Sequence, residues 1–161
     1  MDFAAIRSDN ASDPLNGTLT DVQNRKMFTF RGRTASDIYM TIMPSGNVGV
    51  GTTSPSSVLD VEGPISTAIA KKTTNYTLTA TDRTIEGDAS SGAITITLPS
   101  ASGISGRIYV VTKIDSSVNK VTITRDGTDT FPDGSTSQDL TAQGESLILQ
   151  ANTDGDGWVF N

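Results

Sequence analysis

Asp154-Gly155-Asp156-Gly157 places two carboxylates two residues apart between glycines, a spacing that could wrap a hard cation. A calcium loop of the EF type needs further oxygen ligands and a bidentate Glu near its twelfth position, and only Trp158, Val159, Phe160 and Asn161 follow. A tight hairpin ahead of a last strand accounts for the same residues. Asp126, Asp129 and Asp133 form a second acidic group, also among turn-forming residues. Asp82, Glu86 and Asp88 could supply the carboxylate pair of a glycoside hydrolase, but their spacing fixes no separation, and a solvated loop explains them as well. The chain of 161 residues contains 0 His and 0 Cys, so the usual general base, the commonest zinc ligand and every thiolate are missing. The expectation is therefore a protein that is not an enzyme and uses no cofactor and no metal.

The cations point the same way. Lys71-Lys72 and the group Arg25, Lys26, Arg31 and Arg33 are the only basic clusters, in a chain whose net charge is -6. That balance opposes nucleic acid and anionic membranes. No run of about 18 apolar residues could cross a bilayer as a helix, so no membrane insertion is expected. Residues 1–20 lack the charged start, apolar run and cleavage site of a signal peptide, which predicts synthesis in a cytoplasm without secretion. Sequons at Asn10, Asn16 and Asn75 are accordingly read as chance occurrences in a chain rich in Ser and Thr. Trp158, flanked by Val159 and Phe160, reads as a packing residue rather than a sugar-stacking platform.

The elements that must position these residues are strands. Thr (24) and Ser (18) together make up 26% of the chain, and no stretch of helix formers at 3.6 spacing interrupts them. The spacing predicts an all-β protein. Residues 1–65 break into short pieces, with strands expected at 3–7, 17–20, 27–31, 38–43, 48–51 and 58–61. In Val48-Gly49-Val50-Gly51 both valines share one face and the glycines leave the other bare, which suits close approach of another backbone. Material of this kind, about 65 residues with few apolar side chains, is marginal alone and is expected to bury itself against identical chains.

Residues 66–74 read as a connector, and 75–161 as an antiparallel β-sandwich, jelly-roll-like, with strands at 75–80, 84–86, 93–98, 107–114, 120–125, 137–141, 146–151 and 157–161. Period two is plain at Ile94, Ile96 and Leu98, at Val121 and Ile123, and at Leu147 and Leu149.

The segment from Ser45 to Gly63, Ser-Gly-Asn-Val-Gly-Val-Gly-Thr-Thr-Ser-Pro-Ser-Ser-Val-Leu-Asp-Val-Glu-Gly, resembles one common in bacteriophage tail fibres, tail spikes and related virion attachment proteins. There the pattern is Gly-Asn-Val-Gly-Ile/Val-Gly-Thr, then Pro, then Leu-x-Val-x-Gly. The likeness extends over residues 3–63 and, more weakly, over 75–161.

The resemblance implies a homotrimer with an intertwined β-shaft followed by heads. Val48, Gly49, Val50, Gly51, Val58, Leu59 and Val61 become the trimer-interface candidates, the apolar ones forming a column on the three-fold axis. Many members of the family end in a chaperone segment that is removed, and many carry a long N-terminal attachment region. Neither is recognisable here, so a mature product, a fibre that trimerises unaided, a small vertex spike or a fragment is expected. The function implied is attachment at the virion surface. Other virion proteins would hold the N-terminal end, and the heads would meet a host-surface polysaccharide or outer-surface protein. Asp126, Asp129, Phe131, Asp133, Ser102 and Ile104, on loops expected at one end of the sandwich, are the receptor-contact candidates. The alternatives are a passive connector or decoration protein and, behind it, a glycan-degrading spike.

Overall fold

Alternation of apolar and small polar residues drives most of the strands described. The structure, a computed structural model, describes residues 28–31 and 38–161. The expected strands at 3–7 and 17–20 lie outside those residues. Within them the chain is all-β, with thirteen strands in three sheets. It divides into two units, residues 1–66 and 67–161.

In the first unit, β1 (Phe28–Arg31), β2 (Ile38–Ile42), β3 (Val48–Val50) and β4 (Leu59–Val61) form one sheet in sequence order. A turn with Gly46 at φ +89 closes the β2–β3 hairpin, where the Met43 amide donates to the Asn47 carbonyl at 2.8 Å. β3 and β4 are parallel, although only residues 51–58 join them. Parallel neighbours usually need a dozen or more connecting residues. The short crossover is possible because Gly51 turns at φ +77 and the connection then folds flat onto β3. A Cβ on Gly49 would lie 2.7 Å from the Thr52 carbonyl oxygen. The backbone that approaches the glycine strand is thus the chain's own, so Gly49 and Gly51, assigned above to a contact between chains, are accounted for within one chain. Asp60 fixes the return, accepting from the Ser56 amide at 2.8 Å and its hydroxyl at 2.9 Å.

The second unit contains β5 (Ile69–Lys72), β6 (Tyr76–Thr77), β7 (Thr84–Gly87), β8 (Ile94–Thr97), β9 (Ile108–Lys113), β10 (Val121–Thr124), β11 (Ser137–Leu140), β12 (Ser146–Ala151) and β13 (Trp158–Phe160). One sheet has the order β13-β12-β9-β7-β5 and the other β11-β10-β8-β6. From β5 to β10 the chain alternates between the sheets, and the pairs β5–β7, β7–β9, β6–β8 and β8–β10 are all parallel. The middle is a three-turn coil, closed by antiparallel β11, β12 and β13. The sandwich is therefore mixed rather than wholly antiparallel. Alternation decides which face a residue takes, not the direction of the neighbouring strand. Residues 69–72, read as connector, are an edge strand instead, because Lys71 crosses to Asp88 at 2.6 Å and β5 pairs in register with β7.

The core lies between these sheets. Ile85, Tyr109, Val111, Leu149 and Trp158 of one meet Ile94, Ile96, Val121 and Ile123 of the other, all nearly inaccessible. Burying each such side chain contributes roughly 1.5–3 kcal/mol. Gly87 lets the sheets close, since a Cβ there would fall 2.9 Å from both Val121 methyls.

Candidate functional site

Three connections of the second unit converge on one carboxylate. They are residues 98–107 between β8 and β9, 125–136 between β10 and β11, and 152–157 between β12 and β13. Buried Asp129 accepts through Oδ2 from the Ala101 amide at 2.8 Å and from the Trp158 indole N–H at 3.3 Å. The Thr130 amide donates to the Asp156 carbonyl at 2.9 Å, and the Trp158 amide to the Thr130 carbonyl at 2.9 Å. The Gly106 amide reaches the Ala151 carbonyl at 2.9 Å, and the Ser105 hydroxyl reaches the Asn152 carbonyl. A Cβ on Gly157 would meet the Thr130 carbonyl oxygen at 2.6 Å, so only glycine fits at that crossing. Beneath, Phe131 packs at a tilt against Phe160 with centroids 5.3 Å apart, and Tyr109 likewise against Trp158 at 5.7 Å. The result is a loop cluster with a rigid base and an exposed rim.

This geometry sorts the receptor-contact candidates. Ser102, Asp126 and Asp133 stand exposed on the rim. Ile104 is half-buried against the core, while Asp129 and Phe131 are buried beneath the loops. That burial is not legible in the sequence, because Pro132-Asp133-Gly134 marks a turn, and a turn signal says nothing about which neighbours fold beneath it. Asp133 is held by that turn, accepting from the Ser135 amide at 3.0 Å and from Gln138 Nε2 at 2.6 Å. The Ser135 contacts keep its carboxyl below the ordinary range.

The other acidic groups are engaged similarly. Asn152 Oδ1 accepts from the Gly155 amide at 2.9 Å, and Asn152 Nδ2 donates to Asp156 at 2.8 Å, so residues 152–157 are the hairpin turn before β13. Among the described residues no group of three or more His, Cys, Asp or Glu is placed to hold a metal ion. Asp82 caps its turn. Burial would raise its pKa, but the Thr79 hydroxyl and amide and the Tyr76 hydroxyl outweigh burial and lower it. The Lys71 ammonium and then Ser90 bring Asp88 down to about 2. A glycosidase general acid requires the opposite shift.

One charged pair escaped the sequence reading. Lys113 points into the core, fully buried, with Nζ 2.7 Å from Asp115. Asp115 also accepts from the Ala89 amide at 2.7 Å and the Ser117 amide at 2.9 Å. The Lys113 ammonium, followed by Ser117, holds its carboxyl far below the usual range. The signal was an Asp-x-Ser after β7 and again after β9: Asp88 takes the Ser90 amide at 3.0 Å as Asp115 takes that of Ser117. These arches stack on each other and brace the coil.

The trimer-interface candidates divide by register. Val48 and Val50 pair with Leu59 and Val61 on one side and with Ile42 and Met40 on the other, so all six share a face with Phe30, opposite Met40. Thr41, Gly49 and Asp60 occupy the reverse, where the 51–58 crossover lies. Leu59 is 61% exposed and Val50 39%, while Val48 and Val61 are half-buried. Val58 precedes β4 and is 77% exposed.

No helix among the described residues is long and apolar enough to cross a membrane. No protein-family model matches the chain, and no curated protein matches it.

Proposed function

We propose that this chain is a homotrimeric attachment protein of a bacteriophage virion, binding a host-surface polysaccharide or outer-surface protein without chemical reaction. The observation that carries the reading is the apolar face of β2, β3 and β4, where no polar side chain interrupts Met40, Ile42, Val48, Val50, Leu59 and Val61. A sheet with one wholly apolar face needs a cover, and three copies about a common axis supply it symmetrically. The resemblance of residues 45–63 to tail-fibre and spike segments agrees with that arrangement. Three heads would then present three copies of the loop rim, with Ser102, Asp126 and Asp133 outermost, and weak contacts would sum to avidity. Other virion proteins would hold the N-terminal end.

Sedimentation of the full chain tests the assembly: a mass of three chains is expected, and a monomer at every concentration overturns the reading. Adsorption of the labelled trimer to bacterial cells tests the attachment. A trimer that adsorbs to no host surface would instead be a passive connector, and release of reducing sugar would make it a degrading spike.

A further inference from the structure

Four Asp-Gly pairs lie in the second unit, at 126–127, 133–134, 154–155 and 156–157. An aspartyl before glycine can close into a cyclic imide: the glycine nitrogen attacks the side-chain carboxyl, and the missing Cβ leaves that approach open. The attack needs a carboxyl free to swing onto its neighbour and an amide that serves no acceptor. The fold withholds at least one of these from three pairs. Asp133 is tied to the Ser135 amide at 3.0 Å, and the Gly134 amide donates to the Phe131 carbonyl at 2.9 Å. The Gly155 amide is spent on Asn152 Oδ1 at 2.9 Å. Asp156 accepts from Asn152 Nδ2 at 2.8 Å, and Gly157 is buried against Thr130.

Asp126-Gly127 has both. Among the described residues its carboxylate accepts from no donor and its glycine amide donates to no acceptor. Residues 126–128 are exposed, and a Cβ on Gly127 would meet nothing within 4 Å. The bonds around the pair favour the attack. The Asp129 amide donates to the Asp126 carbonyl at 3.0 Å, drawing electron density from the peptide whose nitrogen must lose its proton. Arg125 Nη1 donates to the Gly127 carbonyl, which sets a positive charge beside the negative charge that develops there. We propose that Asp126 is a site of spontaneous covalent modification, passing through a cyclic imide to isoaspartate, a conversion that requires neither trimer nor receptor. The bond from the Gly127 nitrogen to Asp126 Cγ forms and the Cγ–OH bond of the protonated carboxyl breaks, the amide proton and the hydroxyl leaving as one water. A second water opens the ring at the main-chain carbonyl, breaking its bond to the Gly127 nitrogen. The chain then runs on through Cγ, the former carbonyl becomes the free carboxylate, and the mass is unchanged. The product has one more methylene in the main chain and has lost the carbonyl that Asp129 held. A carboxylate of the loop rim is thereby moved while the core beneath is left alone.

The test incubates the full chain near neutral pH, folded and in guanidinium chloride, and follows each Asp-Gly pair with time. Hydroxylamine cleaves the chain at a cyclic imide, and electron-transfer fragmentation of the peptides separates isoaspartate from aspartate. In the folded chain Asp126 is expected to convert about tenfold faster or more than Asp133, Asp154 or Asp156, each of which must first break a hydrogen bond. In denaturant the four rates should converge. Asp126→Glu, which would need a six-membered ring, should remove cleavage at that position, and Trp158 fluorescence should show the fold retained. Conversion of Asp133, Asp154 or Asp156 in the folded chain at the rate of Asp126 overturns the proposal, because the hydrogen bonds would then not govern reactivity. A folded chain that keeps Asp126 intact while the unfolded chain converts it overturns it as well, by showing that the turn holds carboxyl and amide apart.

Discussion

Lys113 is the most confined charge in the second unit, and its pairing shows what the carboxylates here do. A buried ammonium is tolerated only when a partner and further hydrogen bonds surround it, and Asp115 supplies the charge while Ala89 and Ser117 orient it. Asp82, Asp88 and Asp139 are also held below their ordinary range, each by hydrogen bonds or a lysine across a strand or turn. Carboxyls with depressed folded-state pKa values bind fewer protons folded than unfolded, so their stabilisation is complete above the unfolded value of about 3.9 and fades below it. For Asp88 the fade ends near its folded value of about 2. Thermal unfolding followed by Trp158 should therefore be nearly flat from pH 7 to about pH 5 and drop between about 4 and 2. Asp88→Asn should melt below wild type at pH 7 and coincide with it near pH 2. An equal gap at both pH values would show that Asp88 acts by shape and not by charge.

At the scale of elements, the faces were legible in the sequence and the directions were not. Ile94, Ile96, Val121 and Ile123 alternate with threonine, and each is buried as that pattern requires. Yet Val121 sits beside Ile94 in a parallel pair, 27 positions along the chain, a repeat visible in Ile-Thr-Ile-Thr and Val-Thr-Ile-Thr that hairpin signals elsewhere obscured. β5 was missed because an edge strand has one neighbour and little burial, so Ile69-Ala70-Lys71-Lys72 shows only weak alternation. The acidic turns were readable as turns, but the burial of Asp129 depends on Ala101 and Trp158, each 28 or 29 residues away. Local patterns cannot carry that. The Val-Gly-Val-Gly strand was read correctly as a site of close backbone approach, and the structure identifies the approaching backbone as Thr52. Gly49→Ala forces that carbonyl to move, a strain of about 1–3 kcal/mol by analogy with overpacked cores. It should speed proteolysis within residues 51–58 while leaving the Trp158 transition in place. Unchanged cleavage would mean that the crossover yields at no cost.

At the scale of the whole molecule, the two units solve the same problem in different ways. The second unit has two sheets and closes its own core, from Leu78 to Trp158, within one chain. The described part of the first unit has a single sheet, with its apolar residues on one face and the 51–58 crossover on the other. If identical chains cover that face, its protection follows mass action, whereas the core of the second unit stays closed in a lone chain. Dilution through the trimer dissociation range should then raise the rate of chymotryptic cleavage at Tyr39, Met40 and Leu59, of which Tyr39 is 63% and Leu59 61% exposed in the single chain. Trp158 should stay buried throughout, and a fragment spanning residues 67–161 should accumulate. Cleavage at those three positions that proceeds at one rate across the dilution series would mean that the apolar face gains nothing from other chains. The first unit would then protect itself within one chain, and the symmetry argument for three copies would lose its physical basis.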